Sequence, residues 1–255
     1  MNIYVLMKRT FDMEEQIVIE NGEIRDDGEY IINPYDEYAI EEAVQLRDEH
    51  GGEVTVVLVG DEEGEKQLRT ALAMGADQAF LINNEDVVDY DQFSTSNILA
   101  AFFEDREFDL IIGGNVSIDH STGQVGPRLA ELLDIAHVST ITSIEVSDDE
   151  VKLERDSEGD VEKVEASLPL LVTAQQGLNE PRYPSLPNIM KAKKKPLEVL
   201  DLDDLDLDEE DVEGKTEIID QTLPPKKQAG RMLEGEVQDQ VSELVRLVKD
   251  KAKVI

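Results

Sequence analysis

The segment "EVTVVLVGDEEGEKQLRTALAMGADQAFLI", residues 53–82, contains a complete strand–helix–strand unit. Its first part, "EVTVVLVG", is apolar, rich in β-branched residues and closed by Gly60, which is typical of a buried strand. "EKQLRTALAMGAD" then predicts a helix that ends at Gly75, and "QAFLI" predicts a second short strand. Two buried strands joined by a helix indicate a right-handed crossover between parallel strands.

The same alternation extends in both directions along the chain. Further segments that fit it are the strands "NIYVLMK" (2–8), "DLIIGGN" (109–115) and "LPLLVTA" (168–174), and the helices "PYDEYAIEEAVQLRDEHGG" (34–52), "FSTSNILAAFFEDREF" (93–108) and "TGQVGPRLAELLD" (122–134). Between residues 138 and 167, "VSTITSIEV", "EVKLERD" and "DVEKVEAS" predict antiparallel strands added at the sheet edge. The sequence therefore predicts an α/β fold: a mostly parallel sheet, helices on both faces, and an antiparallel edge addition.

The last part of the chain has a different character. "DLDDLDLDEEDVE" (201–213) predicts an exposed linker, "TEIIDQTLPPKKQAGRMLEG" (216–235) an extended arm, and "EVQDQVSELVRLVKDKAKVI" (236–255) an amphipathic helix. We expect an α/β domain over residues 1–200 and an arm over residues 201–255. Such an arm buries little by itself, so it lies either on a partner chain, which is favoured, or back on its own domain.

Charge limits the possible partners and surroundings. The 255 residues include 59 acidic and 24 basic ones, a formal net charge of −35, and the acidic residues are spread over loops and helices. This distribution indicates a surface tuned for solubility, as in halophilic proteins, and points to a haloarchaeal-type protein; an ordinary acidic protein is the alternative. Free nucleic acid is not expected as a partner, because its phosphates would be repelled.

Several functional classes are excluded by missing residues. The chain has no cysteine, which excludes disulfides and zinc–cysteine sites, and its three histidines show no metal-ligand spacing. No arrangement of Ser, His and Asp resembles a nucleophile elbow, so no catalytic residue and no metal are predicted. We find no signal peptide and no apolar run near 18 residues, and therefore expect a cytoplasmic protein without membrane insertion.

Three strand ends form the predicted binding site, because ligands of open parallel sheets bind beyond the carboxyl ends of the strands. These ends are residues 7–9, 59–61 and 113–115. The third continues as "GGNVSIDHSTGQVG" (113–126) into a helix expected to begin near Thr122, whose free backbone N–H groups suit a phosphate. The alternative is that Ser121 or Thr122 only caps that helix. The segment is neither a kinase-type phosphate loop nor a G-x-G-x-x-G fingerprint.

One basic segment stands out in this acidic chain. "LNEPRYPSLPNIMKAKKKPLEVL" (178–200) concentrates its cations beside an apolar Leu-Pro-Asn-Ile-Met run; they are Arg182, Lys191, Lys193, Lys194 and Lys195. Like charges this close repel one another, which favours an interaction surface over a structural role. The alternative is that the lysines only neutralise the local surface.

These residues also carry a family resemblance. "TAQQGLNEPRYPSLPNIMKAKKKPLEVL" (173–200), "RTALAMGAD" (69–77), "INPYDEYAIEEAV" (32–44) and "VLMKRTFD" (5–12) resemble the small, beta subunit of electron-transfer flavoprotein. The resemblance runs from about residue 2 to the C-terminus. It implies a Rossmann-like scaffold in a heterodimer with a larger alpha subunit, which holds the redox-active FAD and is embraced by the C-terminal arm.

The resemblance further implies an AMP in the beta subunit that takes no part in redox chemistry. Carried over by position, its contacts fall on Leu6, Asn33, Pro34, Tyr35, Asp36, Val59, Gly114, Asn115, Val116, Ser117, Ile118, Asp119, His120, Ser121 and Thr122. Leu6 and Val59 would hold the adenine edge through their backbone. Tyr35 would replace an aromatic residue near the flavin of the partner subunit, and Met13 stands where some relatives have a second aromatic.

By the same resemblance, residues 174–196 form the recognition loop that docks onto partner dehydrogenases, with Leu186 as its apolar anchor. Arg182 and the four lysines would favour encounter with acidic partners. The implied function is that of an electron carrier, not an enzyme, between acyl-CoA-type dehydrogenases and a membrane quinone oxidoreductase.

Two alternatives to this function remain. "SIDHSTGQVGP" (117–127) has the shorter length seen in electron-bifurcating relatives, which hold a second FAD in place of AMP and oxidise NADH. Thr122-Gly123, however, follows the AMP type. A nucleotide-binding stress-type module would explain the predicted phosphate site but not the basic segment.

Overall fold

The computed structural model describes residues 1–20, 22–25, 28–147, 150–226 and 229–253. The chain divides into two compact units, Met1–Asp220 and Gln221–Ile255. The strands are β1 Asn2–Met7, β2 Arg9–Phe11, β3 Ile19–Glu20, β4 Glu23–Ile24, β5 Tyr30–Ile32, β6 Glu53–Gly60, β7 Gln78–Asn83, β8 Leu110–Gly114, β9 Ala136–Ser147, β10 Glu150–Ser157, β11 Asp160–Ser167, β12 Leu170–Ala174 and β13 Leu197–Leu200. The helices are α1 Pro34–His50, α2 Glu65–Met74, α3 Gln92–Glu104, α4 Val125–Leu132, α5 Leu186–Ala192, α6 Glu209–Val212 and α7 Val237–Arg246.

The main sheet has 9 strands in the order β11-β10-β9-β12-β8-β1-β6-β7-β13. All neighbours from β9 to β13 in this order pair in parallel, and β9, β10 and β11 pair antiparallel. The predicted α/β fold, with its mostly parallel sheet and antiparallel edge addition, is confirmed. Short antiparallel pairs, β2 with β5 and β3 with β4, lie outside this sheet.

Two apolar layers hold the sheet between its helices. In β1, Ile3, Val5 and Met7 belong to the core shared with α1 and α2, whereas Leu6 belongs to the core shared with α3 and α4. This period of two places alternate side chains on opposite faces of the sheet. Strands buried on both faces explain why their sequences are continuous apolar runs.

The basic segment, residues 178–200, contains two elements that the sequence analysis did not predict. Residues 186–192 form α5, which begins after Ser185, whose Oγ accepts a hydrogen bond from the Asn188 N–H at 3.4 Å. β13 then pairs in parallel with β7 and becomes the edge strand of the sheet. Part of the basic segment is therefore regular structure attached to the core.

The acidic segment after residue 200 differs from the predicted exposed linker. It contains a 3₁₀ helix, Leu202–Leu205, and α6, and the side chain of Val212 is 0% exposed against the α3 side of the core. Asp91, at the start of α3, accepts hydrogen bonds from the Lys215 N–H and the Thr216 hydroxyl, each at 2.9 Å. The first compact unit therefore continues well beyond the predicted boundary at residue 200.

The second unit contains the predicted C-terminal helix. α7 is followed by a π-helical turn, Leu247–Ala252, and the last two residues of the predicted helix lie outside the described residues. Val237, Val241, Leu244 and Val245 are all at least half exposed. None of the described helices combines the length and apolar character needed to cross a bilayer.

Candidate nucleotide and docking sites

The three predicted strand ends lie around one cavity of about 290 Å³. We call it the strand-end cavity; residues 7–9, 59–61 and 113–115 all line it, as does the segment leading into α4. Its volume is near the lower limit of small-molecule sites, about 300–1,000 Å³. The sheet thus brings together residues that are distant in sequence, at the edge where parallel α/β sheets bind ligands.

The predicted nucleotide contacts fall into two groups. Those that line the cavity are Leu6, Asn33, Asp36, Val59, Gly114, Asn115, Val116, Ser117, His120 and Thr122. Those that do not are Pro34, Tyr35, Ile118, Asp119 and Ser121. Lining alone does not identify a ligand, so all of these contacts stay predictions.

Asp36 stabilises the cavity through hydrogen bonds to three of the segments around it. One carboxylate oxygen accepts the Lys8 N–H at 2.7 Å, and the other accepts the Gly114 N–H and the Asn33 amide, each at 3.0 Å. Burial raises the pKa of Asp36 to about 7, while these three hydrogen bonds and the charge of Lys8 act to lower it. Asp36 therefore joins the ends of β1 and β8 to the start of α1 and has little capacity left for a ligand.

Asn33 holds the loop after β8 in a similar way. Its side-chain amide donates to the Val116 carbonyl at 3.0 Å, and its Oδ1 accepts the Ile118 N–H at 3.2 Å. The side chain is almost fully buried. Asn33 and Asp36 thus shape the cavity through the backbone that they position.

Gly114 permits the close approach of α1 to β8. A Cβ atom placed on Gly114 would lie 2.2 Å from Asp36 Oδ1 and 2.7 Å from Tyr35 Cβ. Neither atom is the free end of a flexible chain, since both belong to the bonded first turn of α1. Any side chain at position 114 would overlap these atoms, so the position requires glycine.

The start of α4, where a phosphate was predicted to bind, differs from the prediction in detail. α4 begins at Val125, not near Thr122, and its N-cap residue is Gln124, without a side-chain capping bond. The alternative that Ser121 or Thr122 only caps the helix is wrong, because Ser121 (φ 52°) and Gly123 (φ 60°) are left-handed and delay the start of the helix. The Ser121 hydroxyl donates to the Ser117 carbonyl instead, at 3.2 Å.

This loop nevertheless suits a phosphate. Within the described part of the chain, the backbone N–H groups of residues 122–124 make no hydrogen bond, and all three residues line the cavity. Amides next to left-handed residues at a helix start form an anion-binding concavity. The residues present therefore fit the phosphate of AMP or of FAD.

Lys8 and Arg9 are cavity residues that the predicted contact set omitted. The Lys8 ammonium lies 2.6 Å from Asp119 Oδ2 and 3.0 Å from His120 Nδ1. Burial and the Lys8 charge lower the pKa of His120, against the opposing charge of Asp119. The Arg9 guanidinium lies 3.7 Å from the centre of the Tyr30 ring and pairs with Asp61. The sequence contained a signal for these two residues, because adjacent cations at the end of a strand are unusual in so acidic a chain.

The recognition loop exposes an apolar face. The side chains of Tyr183, Leu186 and Met190 are 96%, 79% and 66% exposed, and Ile189 is also exposed. Leu186 and Met190 are separated by one helical turn of α5 and so share a face. A group of exposed apolar side chains is typical of interaction surfaces, and the docking role of this face stays a prediction.

Two of the predicted docking cations have structural partners. Arg182 pairs through Nε and Nη2 with both carboxylate oxygens of Glu41, at 2.7 and 2.9 Å, and Glu41 is 5% exposed. The Lys195 ammonium donates to the carbonyls of Leu72 (3.0 Å) and Ala76 (2.5 Å), at the C-terminus of α2. Among the described residues, no acidic side chain pairs with Lys191, Lys193 or Lys194.

Comparison with known proteins gives consistent matches. A family model described as "Electron transfer flavoprotein domain" matches residues 22–205. The "electron transfer flavoprotein subunit beta" of Bacillus subtilis is 66% identical over 257 residues and covers 100% of both chains. The proteins of the same name from Thermoanaerobacterium thermosaccharolyticum and Mus musculus are 37% and 35% identical, covering 96% of both chains and 90% of this chain with 91% of the relative. The likeness includes both the strand-end cavity and the recognition loop.

Proposed function

The chain belongs to the electron transfer flavoprotein family as a beta subunit. We propose that it is part of an electron carrier, which passes electrons from acyl-CoA-type dehydrogenases to a membrane quinone oxidoreductase. Members of this family are electron-transfer subunits that associate with flavin in a heterodimer with an alpha subunit. FAD, held mainly by the alpha subunit in this proposal, supplies the redox chemistry. The beta chain then contributes a nucleotide-supported scaffold and a docking surface.

AMP is the proposed ligand of the strand-end cavity. The observation that carries this assignment is the set of unpaired backbone N–H groups at residues 122–124, beside the start of α4. Leu6 and Val59 line the same cavity, and in this proposal they hold the adenine edge through their backbone. Asp36 and Asn33 keep the strand ends and the loop in place, so the site is formed largely without the ligand.

Docking is proposed to occur through Leu186. Its side chain projects from the first turn of α5 and is 79% exposed, which suits an apolar anchor that enters a pocket of the dehydrogenase. The free cations Lys191, Lys193 and Lys194 follow on the same loop and favour encounter with an acidic protein. The C-terminal arm, with the exposed apolar face of α7, is proposed to pack on the alpha subunit.

The test is the cofactor content of the heterodimer purified after co-expression with an alpha subunit. We expect a one-to-one complex with one FAD and one AMP, measured by absorbance and by chromatography after denaturation. The flavin should be reduced by an acyl-CoA dehydrogenase with its substrate and not by NADH. A complex without adenylate would contradict the proposed ligand.

The alternative function is electron bifurcation, with a second FAD in place of AMP. It is favoured by one observation, the short segment over residues 117–127, which runs from the loop after β8 into the first turn of α4. The same unpaired N–H groups would then bind a phosphate of that FAD. Two flavins per heterodimer and reduction by NADH would establish this alternative.

The proposed setting is a cytoplasm of high ionic strength. The net charge of −35 supports a high-salt environment. The haloarchaeal type stays a prediction, since the relatives named above are bacterial and mammalian. The salt dependence of stability tests the setting directly.

A further inference from the structure

A second concave surface lies beside the recognition loop. We call it the α2–α5 groove: a depression of about 500 Å³ between these helices, lined by Glu65, Lys66, Arg69, Thr70, Ala73, Pro184, Ile189 and Lys193. Ala73, Pro184 and Ile189 provide its apolar part. Pro184, Ile189 and Lys193 of this lining belong to the recognition loop, whose Leu186 and Met190 are exposed.

The charges of the groove are unbalanced. Arg69 donates to Glu65 at 3.2 Å and also to the carbonyls of Ala192 (3.1 Å) and Lys195 (2.8 Å), so this guanidinium neutralises Glu65 and fastens the end of α5. Lys66 and Lys193 have no acidic partner among the described residues and are exposed. In a chain with 59 acidic and 24 basic residues, two free cations over an apolar floor mark a site for an acidic group.

We propose that the α2–α5 groove receives an acidic, apolar segment of the electron-donating dehydrogenase while Leu186 enters that protein. This inference rests on the proposed function and adds a second contact to it. The apolar part of the segment packs on Ala73 and Ile189, and its carboxylates face Lys66 and Lys193. Charge complementarity selects this occupant, because the free cations of the groove match the acidic surface expected of a partner in the same environment.

The test uses the purified heterodimer and an acyl-CoA dehydrogenase with its substrate. Thr70→Trp fills the groove from an exposed helical position, and Lys66→Glu with Lys193→Glu reverses its charge. Lys152→Glu, an exposed change on β10 at the other end of the sheet, controls for reversing the charge of a lysine outside the groove. We expect both groove variants to raise the Kd for the dehydrogenase at least tenfold in low salt, and the control to leave it unchanged.

Cofactor content and reduction by dithionite should stay unchanged in all variants. Wild-type binding by both groove variants, with weakened binding by Leu186→Ala, would overturn the groove proposal and leave the proposed function intact. Wild-type binding by all three would count against the proposed docking itself. If Thr70→Trp weakens binding and the charge reversal does not, the proposal that the occupant is acidic is overturned. If either groove variant dissociates the heterodimer, the alpha subunit covers the groove and the proposal is overturned as well.

Discussion

Replacing Gly114 by alanine tests the close contact on which the strand-end cavity depends. The new Cβ would lie 2.2 Å from Asp36 Oδ1, 2.7 Å from Tyr35 Cβ and 2.9 Å from the Tyr35 carbonyl carbon. The backbone of Gly114 cannot withdraw freely, because β8 is paired with both β1 and β12. The start of α1 must therefore move, which breaks the 3.0 Å hydrogen bond from the Gly114 N–H to Asp36.

The magnitude follows from these two effects. Overpacking of a buried site costs about 1–3 kcal/mol, and leaving a buried hydrogen-bonding group without its partner costs about 1–3 kcal/mol. Because the two effects share one displacement, we expect a total of roughly 2–4 kcal/mol, which lowers Tm by roughly 5–15 °C for a unit of this size. Nucleotide content should also fall, since Gly114 lines the cavity.

Gly113→Ala is the matched control. Its Cβ would meet Leu6 side-chain atoms at 3.4–3.8 Å, which is ordinary contact, so this variant carries the same change in composition without the clash. The assay is thermal unfolding of the heterodimer, followed by adenylate analysis. If Gly114→Ala melts within about 2 °C of Gly113→Ala and keeps its nucleotide, the steric reasoning is refuted.

Three further predictions concern docking, salt and pH. Leu186→Ala should weaken binding to the donor dehydrogenase by about 2 kcal/mol, roughly thirtyfold in Kd, without loss of flavin or nucleotide; loss of either would contradict a role confined to docking. The Tm of the heterodimer should rise from low to molar KCl as repulsion within a chain of net charge −35 is screened, and equal values would contradict the high-salt setting. Because the pKa of Asp36 is raised to about 7, its contribution to stability should fall as the pH rises from about 4 through 7 and then level off. Denaturant unfolding of Asp36→Asn should lack this part of the slope, and identical slopes would place the pKa of Asp36 near its usual value.

The sequence predicted those strands and helices that are marked by continuous or periodic apolar residues. The strands of the parallel core and the helices α1, α2 and α3 were found because their apolar runs and glycine ends are local signals. β13 was missed because it is short, lies at the sheet edge, and exposes Glu198 and Val199. The packing of the acidic segment was also missed. Its partly buried leucines, Leu202, Leu205 and Leu207, alternate with aspartates, so the segment was interpreted as exposed, although Val212 packs in the core.

The candidate site was predictable in position and less so in the roles of its residues. That three strand ends meet follows from parallel topology. The bond between Arg182 and Glu41 joins residues 141 positions apart, so no local pattern could show that this cation has an internal partner. The start of α4 was placed too early because left-handed backbone at Ser121, a non-glycine residue, has no distinct sequence signal.

The internal attachments of the recognition loop have a consequence for the thermodynamics of encounter. Arg182 is held by Glu41 on α1, and Lys195 is held by the end of α2, so both ends of the loop are immobilised when the domain folds. Much of the conformational entropy of the loop is therefore lost on folding and not on binding. A preorganised apolar anchor can therefore reach a given affinity through a small contact area, because little binding free energy is needed to order the chain. Loosening the loop by Arg182→Ala would make association entropically more costly while leaving the anchor itself in place.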